Sequence, residues 1–178
     1  METHGWGNLP DTLIPNNEHL ELEYSNEPFN NQQDIENWYR KGWPKSTKFT
    51  GDLCDMRKQQ PSYNQDVIDW AAKTFKLKNI GTAYYRMGTG VILPTHRDTY
   101  QKYIQIFGCD LNSIIRILVF LDDWRPGHIF QLDTNLVRDY PRWTYYWWRG
   151  DYPHMAANLG DDYRYTLQIT GTEIESQL

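Results

Sequence analysis

A chain of 178 residues is sized for one domain with its own core, and a net charge of −5 with a sequence pI near 5.5 is the wrong sign for a polyanion-binding surface, which argues against nucleic acid as a partner. Two cysteines, Cys54 and Cys109, lie in unlike contexts without Cys-x-x-Cys spacing, so a disulfide framework or a zinc knuckle is not expected and both read as plain thiols. No run approaches the roughly 18 apolar residues of a membrane-spanning helix, and the polar start METHGWGNLP lacks the apolar core of a signal peptide, so the expectation is a soluble, cytoplasmic protein with no membrane partner.

The first fifteen residues, dense in Gly, Asn and Pro, read as an irregular arm, tied down if Trp6 finds a pocket. In "HLELEYS", Leu20, Leu22 and Tyr24 alternate with Glu21 and Glu23, the period of a half-buried strand with His19 at its edge. "NNQQDIENWYRKGWP" then places Ile35, Trp38 and Tyr39 at helical spacing, closed by Gly42 and Pro44. A polar loop is expected over 45–60. A second helix follows, on which Val67, Ile68, Ala71 and Phe75 form one apolar stripe. From Asn79 the texture changes to short β-branched or aromatic runs separated by Gly, Pro and Asp. Strands are expected at 80–86, 91–95, 102–107, 113–121, 128–132, 142–148, 154–158 and 164–170, a number that fits a jelly roll. Aromatic content is 15%, with 8 Trp and 13 Tyr, more than a minimal core needs, so some rings are expected to wall a pocket.

Two stretches carry candidate chemistry: "THRD" with His96 and Asp98, and "YPHMAANLGDDYRYT" with His154, Arg164 and Thr166. In an extended stretch the two-residue period turns His96 and Asp98 to one face, and Arg164 and Thr166 likewise. His154 supplies a third ligand, and two histidines with one carboxylate form the ligand set of non-haem Fe(II) oxygenases. Taken singly, each residue also fits an ordinary interior: a surface pair, a satisfied core histidine, an arginine reaching for water. Arg116, inside the apolar run of Ile114 to Leu121, needs a partner, which is a ligand carboxylate, the substrate, Asp98 or another acid. His128 reads as structural or substrate-facing, Trp147 or Trp148 as a pocket wall, and Asp122, Asp123, Asp161 and Asp162 as turn residues.

Three further stretches give the order its specificity: "AYYRMGTGVILPTHRD", "IIRILVFLDDWRPGHIFQL" and "WRGDYPHMAANLGDDYRYTLQITG". Over residues 79–171 this order resembles the Fe(II)- and 2-oxoglutarate-dependent dioxygenases, more narrowly the prolyl-hydroxylase-like and aspartyl/asparaginyl-hydroxylase-like branches. The resemblance implies a mainly β, cupin-like double-stranded β-helix with flanking N-terminal helices, in one domain over 1–178 whose arm and helical buttress span 1–78. It implies His96, Asp98 and His154 as iron ligands, and Arg164 with Thr166 on the far carboxylate of 2-oxoglutarate. Tyr85, in competition with Tyr84, is the tyrosine of the co-substrate site, and Arg116 is a further candidate there. Fe(II), 2-oxoglutarate and dioxygen are the implied reactants, and a peptidyl Pro, Asp or Asn or a small amino-acid-like molecule the implied substrate. A jelly-roll protein that binds a metal or small ligand without turnover is the alternative.

Overall fold

The computed structural model describes residues 2–13, 15–47 and 49–174. In chain order the first half gives β1 (His4–Asn8), β2 (Tyr24–Pro28), α1 (Gln32–Arg40), β3 (Thr50–Cys54) and α2 (Asn64–Phe75). The second half gives β4 (Leu77–Met87), β5 (Val91–His96), α3 (Gln101–Phe107), β6 (Ile114–Phe120), β7 (His128–Leu132), β8 (Asn135–Val137), β9 (Thr144–Arg149), β10 (His154–Asn158) and β11 (Arg164–Glu173). Two antiparallel sheets face one another, a larger one in the order β1-β9-β6-β11-β4-β3-β2 and a smaller one in the order β5-β10-β7-β8. The four strands β9-β6-β11-β4 opposite β5-β10-β7-β8 make a double-stranded β-helix; β1 extends it at one edge, and β3 with β2 at the other.

Alternation along β11 and β6 builds two cores at once, because successive side chains leave opposite faces of a strand. Leu167, Ile169, Ile115 and Ile117 turn outward and are buried with Val67 and Ala71 of α2. Leu118, Phe120, Phe130, Leu132 and Trp148 turn inward between the sheets. Each such side chain contributes on the order of 1.5–3 kcal/mol by burial. The inward face of β11 instead carries Arg164, Thr166, Gln168 and Thr170, so polar groups are held inside the barrel beside the apolar inner core.

Several elements differ from the sequence reading. The 102–107 stretch is not a strand but α3: Tyr103 packs on Phe107 one turn away, with ring centroids 4.7 Å apart, and Gly108 at φ +59 ends the helix by donating to the Ile104 carbonyl. "HLELEYS" does not begin as a strand either. Glu18–Leu20 is a 3-10 turn that buries His19 completely and leaves Leu20 exposed, and pairing starts only at Tyr24, opposite Cys54. The arm is ordered as edge strand β1 on β9, yet Trp6 stays 67% exposed; the arm is held by backbone pairing, not by that ring. Gly5 and Gly7 make the pairing possible, since a Cβ at either would lie 2.6 Å from Trp147 Nε1 or the Tyr145 hydroxyl. The expected polar loop over 45–60 contains β3, and β8 is a further strand. Of the two helices only α2 lies on the large sheet. α1 reaches the end of β5, where Trp38 donates through Nε1 to the Thr95 carbonyl at 3.3 Å.

Candidate functional site

His96 and His154 face each other directly across the β5–β10 pair, with ring centroids 4.3 Å apart. Asp98 lies in the loop just past β5, and one ligand atom from each of the three residues lies within 4.8 Å of the others. Each imidazole is oriented by a backbone carbonyl: His96 Nδ1 is 2.8 Å from the Pro94 oxygen and His154 Nδ1 is 3.0 Å from the Tyr152 oxygen. A carbonyl only accepts, so Nδ1 carries the proton in both rings, and in a neutral ring Nε2 keeps its lone pair, as metal-ligating histidines require.

Charge is arranged to match. Burial pushes the Asp98 carboxyl up, but the Arg116 guanidinium and the neighbouring imidazoles outweigh it and hold the group at about 2, an anion at neutral pH. Burial drives His154 down to about 4, against the pull of Asp98, so its Nε2 is unprotonated near neutrality. Arg116 spends its donors inside the protein, on Asp98 Oδ2 at 3.1 Å, Gln168 Oε1 at 3.1 Å and the Tyr100 hydroxyl at 3.4 Å. Of the partners open to it in the sequence, the structure gives it Asp98.

Arg164 is the opposite case. It is 3% exposed, and no carboxylate among the described residues pairs with it. Its neighbours are the Met87 sulfur, 3.3 Å from Nη1, and the faces of Phe120 and Phe130 at 5.3 and 5.8 Å, while Nε and Nη2 have no hydrogen-bond partner. A buried guanidinium without an anion is costly and calls for one from outside. Thr166 follows on the same face, and the β11–β4 register sets Tyr85 directly opposite it. Between the sequence alternatives the fold decides by face: Tyr85 turns into the cavity, whereas Tyr84 is buried in the outer core against Tyr63. Burial raises the Tyr85 phenol, which is therefore neutral and able to donate.

These groups line one cavity of about 260 Å³, with the His–Asp–His cluster, Arg164, Thr166, Tyr85 and Arg116 all in its wall. The apolar part of the wall includes Leu93, Leu118, Phe130, Trp148 and Ala156; Trp148 faces the cavity and Trp147 packs on Phe75 at the other face of the sheet. Sequence reasoning missed the supports. Phe29 and Trp38 flank the His96 ring at 5.0 and 6.1 Å between centroids. Gly51 is where the Tyr85 ring passes over β3: a Cβ there would fall on the Tyr85 hydroxyl. Only the glycine itself, in a polar stretch, could have signalled it. His128 lies outside the cavity wall, near the Asp162 carbonyl at 3.4 Å. Asp122 stands 3.6 Å from buried His19, and Asp162 pairs with Arg125.

No family model matches the chain, and no curated protein matches it. Solved structures do. The chain is similar to SnoK, a non-haem α-ketoglutarate-dependent carbocyclase from nogalamycin biosynthesis, with a TM-score of 0.53 and 11% identity over 93% of this chain and 85% of that one. It is also similar to an oxidoreductase of the 2OG-Fe(II) oxygenase family from Burkholderia pseudomallei, with a TM-score of 0.51 and 9% identity over 89% and 76% of the two chains. A prolyl-4-hydroxylase from Pseudomonas putida aligns with a TM-score of 0.49 and 12% identity over 92% and 98%, and cupins are among the other similar structures. At such identities the first two establish the fold, a double-stranded β-helix, and that alone. Among the described residues no helix is long and apolar enough to cross a membrane.

Proposed function

We propose that the protein is an Fe(II)- and 2-oxoglutarate-dependent dioxygenase that hydroxylates a C–H bond of a peptidyl residue or of a small amino-acid-like molecule. The observation that carries this reading is one cavity holding both a His–Asp–His cluster and a buried arginine with no anion among the described residues. The donor set fits the metal: two imidazoles and one carboxylate suit iron better than a thiolate-seeking ion. The unpaired guanidinium fits a dicarboxylate whose other end lies at the metal.

His96 Nε2, His154 Nε2 and the Asp98 carboxylate would hold the iron, with the two carbonyl-bound Nδ1 protons fixing the ring tautomers. Arg164 offers a planar fork to the far carboxylate of 2-oxoglutarate, and the hydroxyls of Thr166 and Tyr85 offer further donors. Arg116 keeps Asp98 ionised and in place. The apolar wall of Leu118, Phe130 and Trp148 excludes water from the reacting end. Bound iron with 2-oxoglutarate and dioxygen supplies the hydroxylation itself, with succinate and carbon dioxide as co-products.

The test is Fe(II)-dependent release of succinate from 2-oxoglutarate, in the protein and in His96→Ala. Turnover that the substitution leaves undiminished overturns the assignment. Tight 2-oxoglutarate binding with no decarboxylation, whatever substrate is offered, would instead establish a binding protein.

A further inference from the structure

The cavity of about 260 Å³ falls below the roughly 300–1,000 Å³ of pockets that enclose a whole drug-sized ligand. With 2-oxoglutarate in it, room remains for a group of side-chain size. A second, open depression of about 880 Å³ adjoins it and shares Phe29, Asn30, Asp98 and Arg116 with its wall. One side of this groove is the start of α1, and the other is the chain from Arg97 through α3.

The groove is lined by carboxamides. Asn31 is spent as the helix cap, accepting from the Asp34 N–H and donating to its carboxylate. Asn30, Gln32 and Gln33 on one side and Gln101 on the other have side chains that bond to nothing among the described residues. A carboxamide offers a carbonyl acceptor and two N–H donors, the complement of a backbone peptide group. The single carboxylate of the lining, Asp98, is already held by Arg116, and Arg97 reaches Asp151, its carbonyl at 2.7 Å and its carboxylate at 3.6 Å, so the cation of the groove without an acid among the described residues is Lys102. In a chain of net charge −5 this is a positive spot. A neutral saccharide would use the carboxamides but not the ammonium of Lys102, whereas an acidic peptide uses both.

Resting on the dioxygenase reading, we infer that the substrate is a polypeptide, not a free amino acid: one side chain enters the cavity, the flanking backbone lies along Asn30, Gln32, Gln33 and Gln101, and an acidic neighbour meets Lys102. The exposed Ile106 of α3, 66% accessible on the same wall, gives an apolar contact to a side chain further along.

The probes are fluorescein-labelled hexapeptide pools, random at the outer positions, with a fixed Asp or a fixed Lys beside a central Pro, Asn or Asp. Binding is read by anisotropy on protein loaded with Mn(II) and 2-oxoglutarate without oxygen. The inference expects at least one Asp pool to bind tenfold or more above its Lys counterpart. Lys102→Glu should abolish or reverse that preference while 2-oxoglutarate affinity stays within twofold. Equal binding of Asp and Lys pools, a preference untouched by Lys102→Glu, or displacement of the peptides by maltohexaose overturns the inference. So does turnover of free proline, asparagine or aspartate with a KM that Lys102→Glu leaves unchanged. Those results leave the dioxygenase reading standing. Failure of the wild-type protein to bind 2-oxoglutarate removes both.

Discussion

Replacing Arg164 with methionine should move ligand affinity and stability in opposite directions. The guanidinium is 3% exposed, finds no acid among the described residues, and rests on Met87 and two phenyl faces. Leaving a charge buried and unpaired costs several kcal/mol, of which the aromatic faces return about 0.5–2 kcal/mol. Methionine is unbranched and adaptable enough to fill much of the same space. Arg164→Met should therefore leave the ligand-free protein as stable as before or more stable by about 1–2 kcal/mol, which for a chain of this size is roughly 2–8 °C in Tm. The same change removes a charge-assisted fork to the 2-oxoglutarate carboxylate, on the order of 3–4 kcal/mol, so Kd should rise roughly 100- to 1,000-fold. Arg164→Lys keeps the charge but not the fork and should fall between. Titration calorimetry with Mn(II) and 2-oxoglutarate under nitrogen gives the affinity, and scanning calorimetry of the ligand-free protein gives the stability. A Kd within threefold of wild type, or a Tm that drops by more than about 5 °C, would refute the reasoning, because either means the guanidinium is satisfied within the native interior.

Asp98→Ala should abolish metal binding and also destabilise the metal-free fold by about 3–5 kcal/mol, since it strips Arg116 of its acid; urea unfolding alongside a Mn(II) titration measures both. In Gly51→Ala the new methyl must displace the Tyr85 ring, so 2-oxoglutarate should bind about tenfold more weakly at a stability cost of roughly 1–3 kcal/mol, with Tyr85→Phe alone costing only about one hydrogen bond, ~1 kcal/mol. For pH, burial lowers His154 from 6.5 to about 4, so between those values the unfolded chain takes up a proton that the folded one refuses. The metal-free protein should thus lose up to about 3 kcal/mol as pH falls from 6.5 to 4, and Asp98, held at about 2, adds a further loss below its ordinary value of 3.8. His154→Gln should flatten the first window in chemical-denaturation curves taken across that range.

The residues of the proposed metal cluster and of the proposed anchor were legible as groups because strand geometry repeats every two residues. Arg164 and Thr166 share a face on that ground alone, and His96 with Asp98 stay together even though β5 ends at His96. What the sequence could not supply was register. That His154 stands opposite His96, and that Tyr85 and not Tyr84 meets Thr166, follow from pairings between strands distant in the chain. Partners were equally hidden: nothing in the run of Ile114 to Leu121 distinguishes Arg116, which has its acid, from Arg164, which has none among the described residues. The misreadings have local causes. The 102–107 stretch is rich in Tyr, Ile and Phe, residues that favour strands, but its Tyr103 and Phe107 are also one helical turn apart and pack on each other. In "HLELEYS" Leu22 and Tyr24 do pack on the core, but the Glu18–Leu20 turn breaks the alternation before them, burying His19 and exposing Leu20. Strand β3 carries Gly51 and Asp52, poor strand formers alone, and exists because β2 and β4 pair on either side of it.

A crystal grown anaerobically with Mn(II) and 2-oxoglutarate tests the central claim most directly. The expected density is a metal bonded to Nε2 of His96, Nε2 of His154 and the Asp98 carboxylate, with 2-oxoglutarate reaching from that metal to the Arg164 guanidinium. A metal bound elsewhere, or Arg164 left without a carboxylate in a cavity that holds the metal, would contradict it.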